Sequence, residues 1–139
     1  MAKKRTARDI MMSPVITATE DMLVTDAMSL MVRSGVSGMP VVGEAGRVVG
    51  MVTGRLLMNM AVSGNAARTK VSEAMSKQMD IYGPVYAPAT PVEEIVNHFA
   101  ATRINRILVV EDGKVVGIIS RLDIMRELDR IYGDFVVKG

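Results

Sequence analysis

The sequence has no cysteine and a single histidine, His98. The first absence excludes disulfides, Cys-based zinc sites, iron–sulfur clusters and thiol nucleophiles together. The second excludes a multi-His metal site and leaves little room for a Ser-His-Asp triad. Long apolar runs are missing as well. The longest, residues 48–62, is broken by Gly50, Thr53, Gly54, Arg55 and Asn59 and is too short to span a bilayer. The opening MAKKRTARDIMMSP lacks the apolar stretch and cleavage site of a secretory signal, so a cytoplasmic location is expected. Charge of one sign is scarce: 17 basic against 15 acidic residues give a net +2, too little to imply a nucleic-acid partner. The basic cluster Lys3, Lys4, Arg5 and Arg8 reads as a solvated tail rather than a DNA-binding arm.

What is present is the composition of a soluble globular chain. Hydrophobic residues make up 49% and charged residues 23% of 139 positions, which excludes disordered and collagen-like classes and allows one domain or two small packed ones. Methionine is abundant, at 13 copies. Met28, Met31, Met51 and Met58 fall at apolar positions of expected helices and strands, where Met serves as adaptable core filler.

The chain repeats itself. Val24, Ala27, Met28 and Met31 follow the i, i+3, i+4, i+7 spacing of an amphipathic helix, and Val92, Ile95, Val96 and Phe99 repeat it 68 positions later. Each helix is followed by an extended run, residues 36–42 or 104–110, and then by an acidic glycine-containing turn, Gly43-Glu44-Ala45-Gly46 or Glu111-Asp112-Gly113. Such turns between apolar runs mark a β-hairpin. The returning strands match most closely: Arg47-Val48-Val49-Gly50-Met51-Val52-Thr53 against Lys114-Val115-Val116-Gly117-Ile118-Ile119-Ser120. A further helix follows each, over residues 55–60 and 122–128. Each half therefore reads as extended segment, helix, strand, strand, helix, an α+β or α/β arrangement of a small sheet packed with two helices.

Local chemistry sets the boundaries. Thr90-Pro91-Val92-Glu93 has the form of a capping box, with Thr90 as N-cap and Pro91 at the first helical position. The equivalent first-half helix is expected to start near Asp21 or Met22. The repeats are placed at residues 6–62 and 71–130, joined by a linker over 63–70 that opens with Ser63-Gly64-Asn65-Ala66, with a tail over 131–139. The second half carries an insertion around residues 78–82, read as a loop extension. A half of about sixty residues is marginal alone, so the two are expected to pack together about a pseudo-two-fold axis and leave clefts for small ligands.

Three repeated features carry a resemblance to a known family. They are the openings Asp9-Ile10-Met11-Met12-Ser13 and Glu73-Ala74-Met75-Ser76, the strand Gly38-Met39-Pro40-Val41-Val42, and the Val-Val-Gly strand ends that lead into Thr53 and Ser120. Over residues 6–128 the chain resembles a tandem pair of cystathionine β-synthase (CBS) domains, a Bateman module. The resemblance implies a regulatory module without catalysis, binding an adenosine nucleotide or related adenosyl ligand between the repeats. AMP, ADP and ATP are the candidates, with S-adenosylmethionine a further one and no cofactor required. It also implies a homodimer and a separate effector protein.

In that family a Gly-hydrophobic-x-Ser/Thr-x-x-Asp motif holds ribose and phosphate. Here it is Gly117-Ile118-Ile119-Ser120-Arg121-Leu122-Asp123. An ionised Asp123 can accept from both ribose hydroxyls, while Ser120 and the amides of the helix start face a phosphate. Arg106 occupies the family position that reaches the phosphates, a task that suits a guanidinium. Asn105 beside it is a second candidate polar contact. The family's packing makes Met12, Ile16 and Val36 the apolar wall for the adenine. In the first repeat Leu56 stands where Asp123 stands in the second, and a leucine accepts no hydrogen bond, so one competent site is expected. The opposite cleft is expected around Thr53, Leu56, Ser76 and Tyr86. Set against this, Asp123 alone could be an ordinary helix-terminal acid, Arg103 a solvated charge, His98 a partly exposed helix residue, and Tyr82 and Tyr86 loop packing. Met28, Met31 and Met58 are candidates for the homodimer surface that the resemblance implies, some of them core, and the alternative function is a structural dimerisation module that needs no small ligand. Nucleic-acid binding through the basic tail is less favoured, and an enzyme least, since no nucleophile–base pair is evident.

Overall fold

A computed structural model describes residues 4–77 and 85–137; the expected insertion at 78–82, with Tyr82, lies outside them. Two three-stranded sheets with helices divide the chain into two compact units, one of Met1–Pro14 with Asp80–Gly139 and one of Val15–Met79. Each is α+β and each has its own core.

The unit of residues 15–79 is built on β1 (Ala18–Thr19), β2 (Gly38–Val42) and β3 (Val48–Thr53), in the order β1-β2-β3. Strand β1 is parallel to β2, and β2 is antiparallel to β3. Helix α2 (Val24–Ser34) and helix α3 (Gly54–Ser63) cover the sheet. Ala18, Val24, Ala27, Met31, Met39, Val41, Val52, Leu57 and Val71 form the core. Each such large side chain taken from water contributes about 1.5–3 kcal/mol. Helix α2 starts at Val24, later than the expected Asp21 or Met22, and no side chain caps it. It ends on Gly35 at φ 69°, the left-handed conformation that a helix stop favours.

The other unit repeats this plan. Strands β4 (Val85–Tyr86), β5 (Arg106–Glu111) and β6 (Lys114–Ser120) lie in the order β4-β5-β6, with β4 parallel to β5 and β5 antiparallel to β6. Helices α5 (Val92–Ala101) and α6 (Arg121–Val137) pack on them through Ile95, Phe99, Ile107, Val109, Ile119 and Ile124. The β5–β6 turn is two residues, Asp112 at φ 54° and Gly113 at φ 79°, closed by the Glu111–Lys114 pair. Two positive φ values in succession match the right-handed twist of the strands, the reason Asp-Gly suits this turn. The capping expectation at the start of α5 is corrected. Pro91, not Thr90, is the N-cap, and it carries no side-chain cap bond. Backbone pairing takes that role: Ala7 N–H donates to Thr90 C=O at 2.8 Å and Val92 N–H to Arg5 C=O at 3.0 Å. Helix α6 continues well past residue 128, so residues 131–137, expected as tail, are helical.

Short segments distant in sequence complete both sheets. Helix α1 (Ala7–Ile10) and Met12 join the unit of residues 80–139, where Met12 and Ile118 exchange two backbone hydrogen bonds of 2.9 and 3.2 Å. Helix α4 (Val71–Ala74) and Ser76 do the same for the other unit, with Met51 and Ser76 exchanging two bonds of 2.9 Å. The N-terminal segment is thus no free tail: Arg5 pairs with Glu127 and Arg8 with Glu111.

These approaches are close enough to demand glycine. A Cβ on Gly117 would enter Met11, including its Cβ at 2.9 Å, and a Cβ on Gly50 would meet Ser76 C=O at 2.8 Å. Overpacking of this kind costs about 1–3 kcal/mol. Gly117→Ala is therefore expected to lower the unfolding free energy by about that amount in urea titration. Gly64→Ala, where no atom lies within 4 Å but φ is 82°, is expected to show only the smaller backbone penalty of about 1 kcal/mol.

Candidate functional site

The motif of the second repeat sits where β6 runs into α6. Ser120 ends the strand, and Asp123 lies in the first turn of the helix. The Asp123 carboxylate is buried, 6% exposed, and its Oδ2 accepts from Ser120 N–H at 2.8 Å and from Ser120 Oγ at 3.0 Å. Ser120 Oγ also lies 3.4 Å from Asp123 N–H, its acceptor in the reciprocal arrangement. This is a capping box, which satisfies orphan donors at the helix start and fixes the carboxylate's direction. Its other oxygen, Oδ1, faces Arg126 Nη1 at 3.5 Å.

Sheet register brings Arg106 to the same place. Arg106 is the partner of Ser120 in the β5–β6 ladder, so their side chains leave the same face of the sheet. Burial pushes the half-buried Arg106 guanidinium down from its ordinary value, yet a group that titrates so far above neutrality stays charged. Asn105, exposed, is engaged locally: its Oδ1 accepts from Arg121 Nε at 3.1 Å and its C=O from Arg121 N–H at 3.1 Å. Met12 joins the edge of β6 through its backbone and leaves its side chain 51% exposed. Ser120, Asp123, Arg106, Asn105 and Met12 therefore share one unit, whereas Ile16 and Val36 belong to the other. Ile16 is exposed there, and Val36 packs on the edge of that core.

The first repeat keeps the backbone of the motif and loses its acid. Thr53 caps α3 by accepting from Leu56 N–H at 3.3 Å, as Ser120 does for Asp123, but the half-buried Leu56 offers no acceptor. The rings of Tyr86 and His98 meet edge to face at 6.0 Å. Burial first, then the charge of Glu94, raises the Tyr86 hydroxyl above its ordinary value. Both side chains are accounted for by packing.

Sequence reasoning missed a charge cluster beside Asp123. Arg5, Asp9 and Ile10 from the N-terminal segment line a cavity of about 310 Å³ with Asp123, Arg126, Glu127 and Arg130 of α6. Glu127 is almost wholly buried, and it accepts from Arg5 Nε at 3.2 Å, Arg5 Nη2 at 3.0 Å and Arg130 Nε at 2.5 Å. The spacing of 123, 126, 127 and 130 was a readable signal, since those positions share one helix face. Arg5 gave none. Among the described residues no group of three or more His, Cys, Asp or Glu could hold a metal ion, and no helix is long and apolar enough to cross a membrane.

This duplicated architecture with a Ser-x-x-Asp helix start defines a class. The chain belongs to the CBS domain family, as a tandem pair: the CBS domain model matches residues 7–61 and 71–130. Among its relatives, the CBS domain-containing protein YhcV of Bacillus subtilis is 30% identical over 84% of this chain and 81% of its own length. The A-adding tRNA nucleotidyltransferase of Aquifex aeolicus is 30% identical over 88% of this chain, which spans only 14% of that enzyme. Among solved structures, the CBS domain pair of protein MJ0100, in complex with 5′-methylthioadenosine and S-adenosyl-L-methionine, superposes with a TM-score of 0.78. That match covers 93% of this chain and 99% of the other at 22% identity.

Glu127 generates a pH prediction. Burial alone would raise its carboxyl, but the hydrogen bonds and charges of Arg5 and Arg130 outweigh that and hold it below the ordinary 4.5. A carboxyl depressed by folding stabilises the fold above its unfolded value, and that contribution is lost as pH falls through the folded one. Glu127→Gln should thus lower stability at pH 7 by about 1–2 kcal/mol, screened because both arginines are partly exposed. In urea titrations below pH 4.5, the gap between variant and wild type should close progressively.

Proposed function

We propose that this tandem CBS pair is a non-catalytic regulatory module that binds an adenosine nucleotide or related adenosyl ligand at the second-repeat motif. Asp123 holds the ribose, and Ser120 with Arg106 faces the 5′ substituent. Met12 offers apolar surface to the base, and Asn105 a further polar contact. The observation that carries the reading is the convergence at one strand end of a buried, directed carboxylate, a helix start and a half-buried guanidinium in register with Ser120. A carboxylate takes hydroxyl donors, and helix-start amides with a guanidinium suit phosphate oxygens. The adenosyl compounds bound by the MJ0100 domain pair support the ligand class and, among the candidates AMP, ADP, ATP and S-adenosylmethionine, favour including the last. The signal then passes to a separate effector protein or through assembly.

Thermal unfolding with adenosine, AMP, ADP, ATP, S-adenosylmethionine and GMP tests this. A ligand at about 100 times its Kd adds about 2.7 kcal/mol. At least one adenosine compound, and not GMP, is expected to raise the midpoint. Asp123→Ala also removes half of a helix cap, worth about 1 kcal/mol, so the quantity compared is the ligand-induced shift within each protein. That shift should vanish in Asp123→Ala and shrink in Arg106→Ala. No response to any adenosine compound defeats the reading.

A second reading, a dimerisation module without a ligand, is favoured by large apolar side chains left exposed on α6, Leu122 at 54% and Met125 at 64%. Ligand response separates the two: under this reading no adenosine compound shifts the thermal midpoint, while sedimentation finds the wild type a dimer without ligand and Met125→Glu a monomer.

A further inference from the structure

We infer that Arg126 is a specificity-determining residue of the Asp123 site, covering the one carboxylate oxygen that a ligand can use and giving way to a vicinal diol. This rests on the ribose-binding reading above and names how that site is regulated when empty. The two oxygens of Asp123 are unequal. Oδ2 is captive, with the Ser120 N–H at 2.8 Å and the Ser120 hydroxyl at 3.0 Å. Oδ1 meets Arg126 Nη1 at 3.5 Å, at the outer limit of a hydrogen bond. The carboxylate is 6% exposed and the Arg126 side chain 67% exposed, so a buried acid is neutralised by a long, mostly solvated arm.

That asymmetry has a consequence for binding. A buried carboxylate without a counter-charge is costly, so the empty site needs Arg126. An incoming hydroxyl must approach Oδ1, and Asp123 and Arg126 line the same cavity. The guanidinium and the hydroxyl are donors to the same oxygen, and a guanidinium cannot be deprotonated to become an acceptor. The two therefore compete. The weak geometry of the pair makes the competition one that a diol wins, because a second hydroxyl adds a bond that a single Nη1 does not. A ligand lacking the diol gains nothing by displacing Arg126. Arg126 thus costs ribosyl ligands affinity that deoxyribosyl ligands keep, and narrows the site's preference between them without contacting either. The neighbouring arginines do not substitute for it: Arg5 and Arg130 are both bonded to Glu127, one helical turn on.

Isothermal titration of wild type, Arg126→Ala and Arg126→Lys with adenosine and AMP, each beside its 2′,3′-dideoxy analogue, tests the inference. A pair whose cation is mostly exposed corresponds to roughly a two- to five-fold change in affinity. Arg126→Ala should bind adenosine and AMP tighter by about that factor and leave the dideoxy compounds unchanged. Arg126→Lys should return affinity toward wild type. Equal or weaker binding of the ribosyl compounds by Arg126→Ala, or an equal change for the dideoxy analogues, overturns the role of Arg126 while leaving the site standing. Failure of both adenosine and AMP to bind the wild type overturns the ribose site and this inference with it. Thermal midpoints of the unliganded variants are measured beside the titrations, and each is expected within a few degrees of wild type because Arg126 is mostly exposed.

Discussion

Everything at the candidate site depends on a backbone contact between segments more than a hundred residues apart. Met12 and Ile118 exchange two hydrogen bonds, and the strand that carries Ile118 runs two residues further to Ser120. That exchange requires Gly117 beneath Met11, since any side chain there would occupy the thioether's place. The same solution appears in the other unit, with Gly50, Met75, Met51 and Ser76. A glycine in a strand interior weakens it, and a close backbone approach is the compensation that explains its presence. The hairpin edge is thereby covered, which also removes a template for pairing with another chain.

Asp123 serves the fold with the same carboxylate that we propose holds the ligand. Through Oδ2 it completes the cap of α6, and this fixes Oδ1 relative to the end of β6 without a flexible rotamer. Leu56 shows the two duties can be separated. Thr53 still caps α3 through its hydroxyl, so the helix start survives where the acid is gone. Duplication supplied two equivalent helix starts, and only one retains a charged acceptor.

Much of this was legible in the sequence for physical reasons. Hairpins with Asp-Gly or Glu-Ala-Gly turns and helices with 3.6-residue spacing are local, and local patterns can be read along the chain. The Ser-x-x-Asp motif was legible too, as a helix cap, and the ligand contact we propose for it asks for the same residues. What was not legible depended on distance. Arg5 looked like a solvated tail residue because its partner, Glu127, lies 122 positions away. The start of α5 looked like a Thr90 cap because nothing local announces that Ala7 and Val92 would supply backbone pairing on either side. Met58 reads as core by periodicity yet is 64% exposed, whereas Met31 and Met51 are buried. Periodicity gives a face of the helix but not what covers it.

The charge ladder on α6 extends the argument from the site to the segment that completes the unit. Asp123, Arg126, Glu127 and Arg130 occupy one helix face, and Arg5 closes it from the N-terminal side. Each carboxylate is buried and each arginine partly exposed. The acids are therefore held by the protein and the cations are the adjustable members. Removing an acid strands cations that water can still solvate. Removing a cation strands a buried negative charge, which is the costlier error. In the proposed site, a ligand hydroxyl at Asp123 would replace a donor with a donor and leave the carboxylate satisfied throughout. Binding at this position is then an exchange between partners of one fixed acceptor, and its free energy is the difference between them rather than the full strength of either. A ligand can shift the protein only by such a difference, so in the proposed site the small margin at Oδ1 sets how much of the diol's hydrogen bonding reaches the binding free energy.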